Sequence, residues 1–484
     1  MSGSLERLAN GCILAGFAGT KTPPWLEREL DDGLGGVVLF SRNVEGPEQL
    51  RWLTDSLRVS AATVVAIDEE GGDVTRLEAS RGSSLPGPLA LGTIDDVALT
   101  EQLARALADE LRAAGITLNL APVADINVNP LNPVIGVRSF GSDPALVARH
   151  VAAFVTGLQS GGVAACAKHF PGHGATDVDS HLGLPVVSAT REELLGVELA
   201  PFAAAIAAGT RAIMSAHLVV PAVDDVPATL SRALLTGLLR DELGFTGAIV
   251  TDALEMKAVS ATVGMAEGAV QALLAGADAL CLGHDIDEGH VARVRAAIVA
   301  AVREGRLDEN RVAEAAARVA VSHVPAAEDR GSDTPPLAEL GLAAARRALV
   351  VSGTVDDGRP LLLVDLEGTT SVAAGRPSHD LASILGQLRA DVVTIRATKA
   401  GVDQALAAVR ASPGRRPVVV VRDVDRHPWQ RDAASAILAA GTSGVVVDVG
   451  YPARVTLTPN ALITTFGSGR ASLTAAAELL LGSP

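Results

Sequence analysis

The strongest constraint on this fold is a repeated alternation. Short, nearly unbroken apolar runs are separated by longer, Ala-rich amphipathic segments. The runs are Cys12–Phe17, Val37–Phe40, Val64–Asp68, Thr117–Val123, Ala164–Phe170, Ala212–Leu218, Ala248–Asp252 and Ala277–Leu282. A run that is apolar at nearly every position suits a strand buried on both faces, as in a parallel sheet covered by helices. Eight such runs with helix-length spacers predict an N-terminal (β/α)8 barrel of the TIM type. The spacers agree with this. Ala98–Ala114 and Glu192–Ala208 carry apolar positions at three- and four-residue spacing and are followed by Gly115 and Gly209. A glycine there supplies the left-handed residue that closes a helix. Aromatic residues make up only 2% of the chain, so its cores must be aliphatic.

Residues 324–336 (VPAAEDRGSDTPP) break the alternation with Pro, Gly and charge. They read as a linker. Beyond them a helix over Leu337–Leu349 leads into strand-like runs at Leu361–Val364, Val392–Ile395, Val418–Val421, Val445–Val449 and Leu462–Phe466. This predicts a smaller, doubly wound α/β sandwich domain. The expected organisation is a barrel over residues 1–324, a linker over 325–336 and a second domain over 337–484.

The net charge of −16 disfavours nucleic acid and anionic membranes as partners, because phosphate would be repelled. The three cysteines, Cys12, Cys166 and Cys281, sit in apolar runs and match no disulfide or metal spacing. They read as buried, inert thiols in a reducing compartment. The apolar run near the N-terminus is too short for a signal-peptide core, and no stretch is long enough to span a bilayer. A cytoplasmic location is therefore expected.

Polar residues collect where the strands of the barrel end. Asp68, Lys168, His169, His217 and Asp252 lie at or near the C-terminal ends of their runs, and those ends converge on the face that carries active sites. In the C-terminal half Asp365, Arg422, Asp423 and Asp448 sit in comparable places, where a folding or interface role is expected. The densest segment is 167–185 (AKHFPGHGATDVDSHLGLP). Its prolines and glycines cannot continue a helix or a central strand, so it reads as a strand end followed by a long loop over the mouth. Three uses are open to it. His169, His173, Asp177 and His181 could ligate a metal, although no recognised metal spacing is present. The loop could simply be solvated. Or Asp179 and His181, two apart and so on one face of an extended loop, could form an acid–base dyad. The carboxylate would then fix one ring nitrogen and leave the other to exchange protons near neutrality. The dyad is the preferred reading.

Three further segments carry candidates. In GAIVTDALEM, Asp252 ends a strand; it is either a reactive carboxylate or the N-cap of the next helix. Glu255 fits a capping box or a first-turn acid. In AIDEEGGDVTRL, Asp68 and Arg76 suit sugar hydroxyls as acceptor and donor, and Gly71–Gly72 lets the backbone turn tightly. In VIGVRSFG, Arg138 is either a binding residue or a surface charge.

Together these segments resemble glycoside hydrolase family 3, and within it the NagZ-type β-N-acetylglucosaminidases. The resemblance covers roughly residues 10–320. It rests on KHFPGHG followed by DSH, in order with IDxEGG, RSFG and TDALEM. It implies Asp252 as nucleophile, His181 as acid/base and Asp179 as its partner. It implies Asp68, Arg76, Arg138, Lys168 and His169 as ligands of a terminal N-acetylglucosamine, and it calls for no metal or organic cofactor. Asp73 departs from the pattern, since many relatives carry a basic or neutral residue after Gly-Gly. The natural substrate it implies is a cell-wall (muropeptide) fragment, with no indication of oligomeric state. Two rivals keep part of this picture. A phosphorylase would use the same residues with phosphate as acceptor, and a non-catalytic sugar-binding barrel would lack the chemistry.

Overall fold

The computed structural model describes residues 2–482 apart from 182, 285, 324–334, 356–357, 369–372, 376–379, 389–390, 442 and 453–459. Most of the expected linker, 325–336, therefore lies outside the described residues. Two compact units are present. The first comprises Met1–Glu70, Val97–Ile135 and Ser142–Pro335; the second comprises Gly71–Asp96, Gly136–Gly141 and Pro336–Pro484. The division is not one cut along the chain, because two stretches from the barrel part of the sequence group with the C-terminal residues.

The first unit has eight strands: β1 (Ile13–Ala15), β2 (Gly36–Leu39), β3 (Val64–Ile67), β4 (Leu118–Asn119), β5 (Ala164–Phe170), β6 (Ala212–Ser215), β7 (Ala248–Thr251) and β8 (Leu280–Leu282). Seven lie within one of the eight apolar runs, and β2 overlaps its run but starts one residue earlier, at Gly36. They pair in parallel in the order β7-β6-β5-β4-β3-β2-β1-β8, and a parallel bridge from Val250 to Ala279 joins β7 to the approach to β8. The barrel is filled by one residue in two along each strand: Val64 and Ala66, Ala164 and Cys166, Ala248 and Val250, with their counterparts on the other strands. Continuing that period of two brings Asp68, Lys168 and Asp252 to the same side at the top of the stack. Three polar residues thus inherit an inward direction from the apolar residues beneath them.

Both spacer helices singled out in the sequence form, the second with an interruption. Val97–Ala113 precedes Gly115, which has φ +80°, and Gly209 closes the other predicted helix at φ +79°. That second helix is broken into Arg191–Glu193, a wide π-helical turn over Leu194–Glu198, and Ala200–Ala207. Pro201 has no N–H to continue the ladder.

The second unit holds β9 (Val350–Gly353), β10 (Leu361–Leu366), β11 (Val392–Ala397), β12 (Arg416–Val421), β13 (Val445–Asp448) and β14 (Ala461–Thr464), in the order β11-β10-β12-β13-β14-β9. Alternate residues feed two cores: Leu361, Leu363, Val418 and Val445 on one face, Leu362, Val364, Val419 and Val446 on the other. This is the doubly wound arrangement. β9 was not legible in the sequence. It is an antiparallel edge strand with all four residues exposed, so it lacks the two-faced burial that marks the others. Within this unit Asp73 finds its purpose. It binds the Arg422 guanidinium at 2.6 Å and accepts from the Ser468 N–H at 2.6 Å. The departure after Gly-Gly is an internal anchor here.

Candidate active site

Lys168 stands at the centre of the first cluster. Its ammonium, only 2% exposed, lies 2.7 Å from Asp68 and 2.6 Å from Glu70. Two carboxylates thus share this one ammonium. The Glu70 side chain is 1% exposed and that of Asp68 18%. Glu70 is thus the buried counter-charge, and Asp68 keeps access to a ligand. Asn119 on β4 fixes the backbone between them, accepting from Glu69 N–H at 2.9 Å and donating to its carbonyl at 2.8 Å. The sequence reading passed over Glu70, which sits inside the motif that supplied Asp68.

At the end of β5 the pairing with β6 shifts register between Lys168 and Phe170. A bulge of this kind re-aims side chains at a strand end. His169 turns to Asp125, with Nδ1 2.7 Å from the carboxylate. Asp125 also accepts from the backbone N–H groups of His169 (3.2 Å) and His173 (2.7 Å). Burial pushes the Asp125 carboxyl up, but His169 and the hydrogen bonds outweigh it and hold it below the usual range. Asp125 was also missed, because nothing in its local sequence marks it.

The loop that follows is tied down by His173. Its Nδ1 lies 2.7 Å from Thr176 Oγ1 and its Nε2 3.2 Å from Ser180 Oγ. Burial lowers the imidazole to about 4, so it is neutral. Thr176 spends its proton on the His173 carbonyl, so Nδ1–H donates to Thr176 and Nε2 accepts from Ser180. With both ring nitrogens engaged, and Asp177 exposed, the four-residue ligand set is not assembled. Among the described residues no group of three or more such side chains could hold a metal.

Asp179 and His181 do meet. One carboxylate oxygen accepts from both the His181 backbone N–H at 2.9 Å and its Nδ1 at 2.7 Å. Burial raises the Asp179 carboxyl, and its hydrogen bonds to His181 more than reverse this. An ionised carboxylate only accepts, so Nδ1 carries the proton. The His181 side chain is 29% exposed while that of Asp179 is 6%, as befits a buried orienter behind an accessible ring.

Asp252 follows β7. It is not a helix cap, since the next helix begins at Lys257 behind Met256. Its carboxylate accepts from the Ala253 N–H at 2.8 Å. Burial pushes this carboxyl up, but His217, His169, His181 and the Ala253 N–H together hold it below its ordinary value. The group is therefore ionised near neutrality with three imidazoles around it. His217 donates from Nε2 to the Ala253 carbonyl at 3.0 Å and so positions the turn carrying Asp252. Glu255 accepts from Gly283 N–H at 2.9 Å, tying that turn to the end of β8; a Cβ on Gly283 would lie 1.6 Å from its carboxylate.

Arg76 and Arg138 fall in segments that group with the second unit. Arg76 donates to the Ala373 carbonyl at 2.9 Å. Arg138 is buried at the end of a short turn, Gly136–Arg138. The cysteines are buried and unpaired, with the Cys12 thiol pushed up to about 12 by burial. No described helix is long and apolar enough to cross a membrane.

The first unit thus brings Asp68, Lys168, His169, Asp179, His181 and Asp252 to one end of the barrel. An ionised carboxylate beside an imidazole oriented by a second carboxylate suits covalent attack with proton transfer. A β-hexosaminidase A of Pseudoalteromonas piscicida is 34% identical over 330 residues, covering 62% of this chain and 55% of that protein. The chain thus spans about half the length of that relative. A glycoside hydrolase family 3 β-N-acetylglucosaminidase from Paenibacillus sp. str. FPU-7 has a similar structure, with TM-score 0.88 and 34% identity over 99% of this chain and 96% of that one. NagZ from Neisseria gonorrhoeae, solved with N-trifluoroacetyl-D-glucosamine, has TM-score 0.58 and 32% identity over 70% and 98% of the two chains. The family described as glycosyl hydrolase family 3 N terminal domain matches residues 26–321. That match takes in more than half of the sequence and all the strand-end residues from Asp68 to Asp252, and the chain belongs to glycosyl hydrolase family 3.

Proposed function

We propose that this chain is a retaining exo-β-N-acetylglucosaminidase that removes terminal N-acetylglucosamine from small conjugates such as muropeptide fragments. The observation that carries the reading is the ionised Asp252 beside a His181 whose tautomer is set by Asp179. Asp252 attacks the anomeric carbon while His181 Nε2–H protonates the leaving oxygen. The same nitrogen then takes a proton from water, whose oxygen attacks the anomeric carbon of the glycosyl-aspartate; the bond to Asp252 breaks and the sugar is released with configuration retained. Asp68, Lys168 and His169 hold the sugar. For Arg76 and Arg138 that role rests on the motif match alone. The preference for N-acetylglucosamine is supported by the names of the relatives and by the glucosamine derivative bound to one of them. A cytoplasmic location is supported by three buried, unpaired thiols.

The test is release of p-nitrophenol from its β-N-acetylglucosaminide, wild type beside Asp252→Ala, with and without phosphate. Loss of activity in the variant and indifference to phosphate are expected. Formation of a sugar 1-phosphate would replace water by phosphate as acceptor. Equal activity of the two proteins would refute the assignment of the nucleophile.

A further inference from the structure

We infer that Asp125 is a positioning residue that sets the tautomer of His169 and couples it to the anchoring of the loop that carries His181. The inference rests on the glycosidase reading of this site. Asp125 is fully buried and belongs to the loop after β4, far in sequence from the groups it holds. Three N–H groups converge on it: His169 Nδ1 at one oxygen, and the backbone N–H groups of His169 and His173 at the other. Its carboxyl is held ionised and can only accept. The proton of His169 is therefore on Nδ1, and Nε2 is the nitrogen left for sugar and for the neighbourhood of Asp252. The site thus holds two carboxylate–imidazole pairs, Asp179–His181 and Asp125–His169.

The second half of the coupling runs through His173. Asp125 pins its backbone, and its ring accepts from Ser180, which lies between Asp179 and His181 in the chain. One buried carboxylate therefore fixes both the sugar-binding histidine and the base of the acid/base loop. Outer partners that set a histidine's tautomer commonly matter as much as the histidine itself.

Asp125→Asn tests this with little change in shape. Its carbonyl oxygen can still accept the two backbone N–H groups. Its amide group can only donate toward Nδ1 of His169, which moves the proton to Nε2. The expected results are a loss of about 10- to 100-fold in kcat/KM and a change in the ¹⁵N shifts of the His169 ring from the Nδ1–H to the Nε2–H pattern. The His169 signal is assigned by its absence in His169→Gln. In the His169→Gln background Asp125→Asn adds only what flows through His173. A role in packing alone would lower stability and leave the ring shifts unmoved. Nδ1–H retained in Asp125→Asn, or an equal cost in both backgrounds, overturns the inference. Should Asp125→Asn not fold, the wild-type spectrum decides, because neutral His169 protonated on Nε2 contradicts it directly. The ring shifts are read without turnover. A wild type inactive on the aryl glycoside therefore sinks the glycosidase reading separately.

Discussion

Glu198 offers a sharp quantitative test of the electrostatics beneath the loop. It closes the π-helical turn and is 5% exposed; among the described residues its Oε2 has no hydrogen-bond partner. It is wedged against Gly172, where a Cβ would lie 2.7 Å from that oxygen. Burial, and then the Asp125 charge, push its carboxyl from 4.5 to about 7. A group whose pKa is raised by folding binds more protons in the native state, so stability falls as pH rises from the unfolded pKa through the folded one. Between about pH 5.5 and about pH 8.5 this linkage removes about 2 kcal/mol from the first unit. Glu198→Gln keeps the shape and has no proton to lose. The amide's own burial cost is the same at both pH values, so the comparison reads the slope and not the offset. Thermal unfolding of wild type and variant across this range should show the gap in Tm moving by about 4 °C in favour of the variant as pH rises. Parallel curves would refute the claim that burial keeps this carboxyl neutral.

Three further outcomes are expected. Asp179→Asn should lower kcat by about 10²- to 10⁴-fold with a small change in KM, because the amide favours the wrong His181 tautomer; steady-state kinetics on the aryl glycoside measures it. Gly174→Ala places a Cβ 1.8 Å from the Ile126 carbonyl oxygen, so it should cost about 1–3 kcal/mol and displace the loop, read as a lower Tm together with lower kcat. On the acid side, the lowered Asp252 pKa keeps the proposed nucleophile charged down past the ordinary carboxylate range, so that ionisation should limit kcat/KM only below about pH 4. Over the same span His173, lowered to about 4 in the fold, resists protonation that the unfolded chain accepts. Stability should therefore fall by about 3 kcal/mol as pH drops from about 6.5 to about 4, and His173→Gln should abolish that part of the slope in calorimetry.

The eight barrel strands, their order and five strands of the second sheet were legible in the sequence, because burial on both faces leaves a local mark that needs no partner to be read. The strand-end positions of Asp68, Lys168 and Asp252 were legible as well, whereas their inward direction follows from the stack of alternate residues in the folded barrel. The Asp179–His181 contact was legible too, since two residues of separation place both side chains within reach. Tertiary structure alone decided the rest. Asp125 meets His169 and His173, and Asp73 meets Arg422, across long stretches of chain that no local pattern spans. The bulge at His169 arises from pairing with β6, and the exposed β9 exists only because β14 offers it an edge. Local periodicity encodes which residues are buried. Which buried polar groups satisfy one another depends on where barrel and sheet closure bring distant segments together.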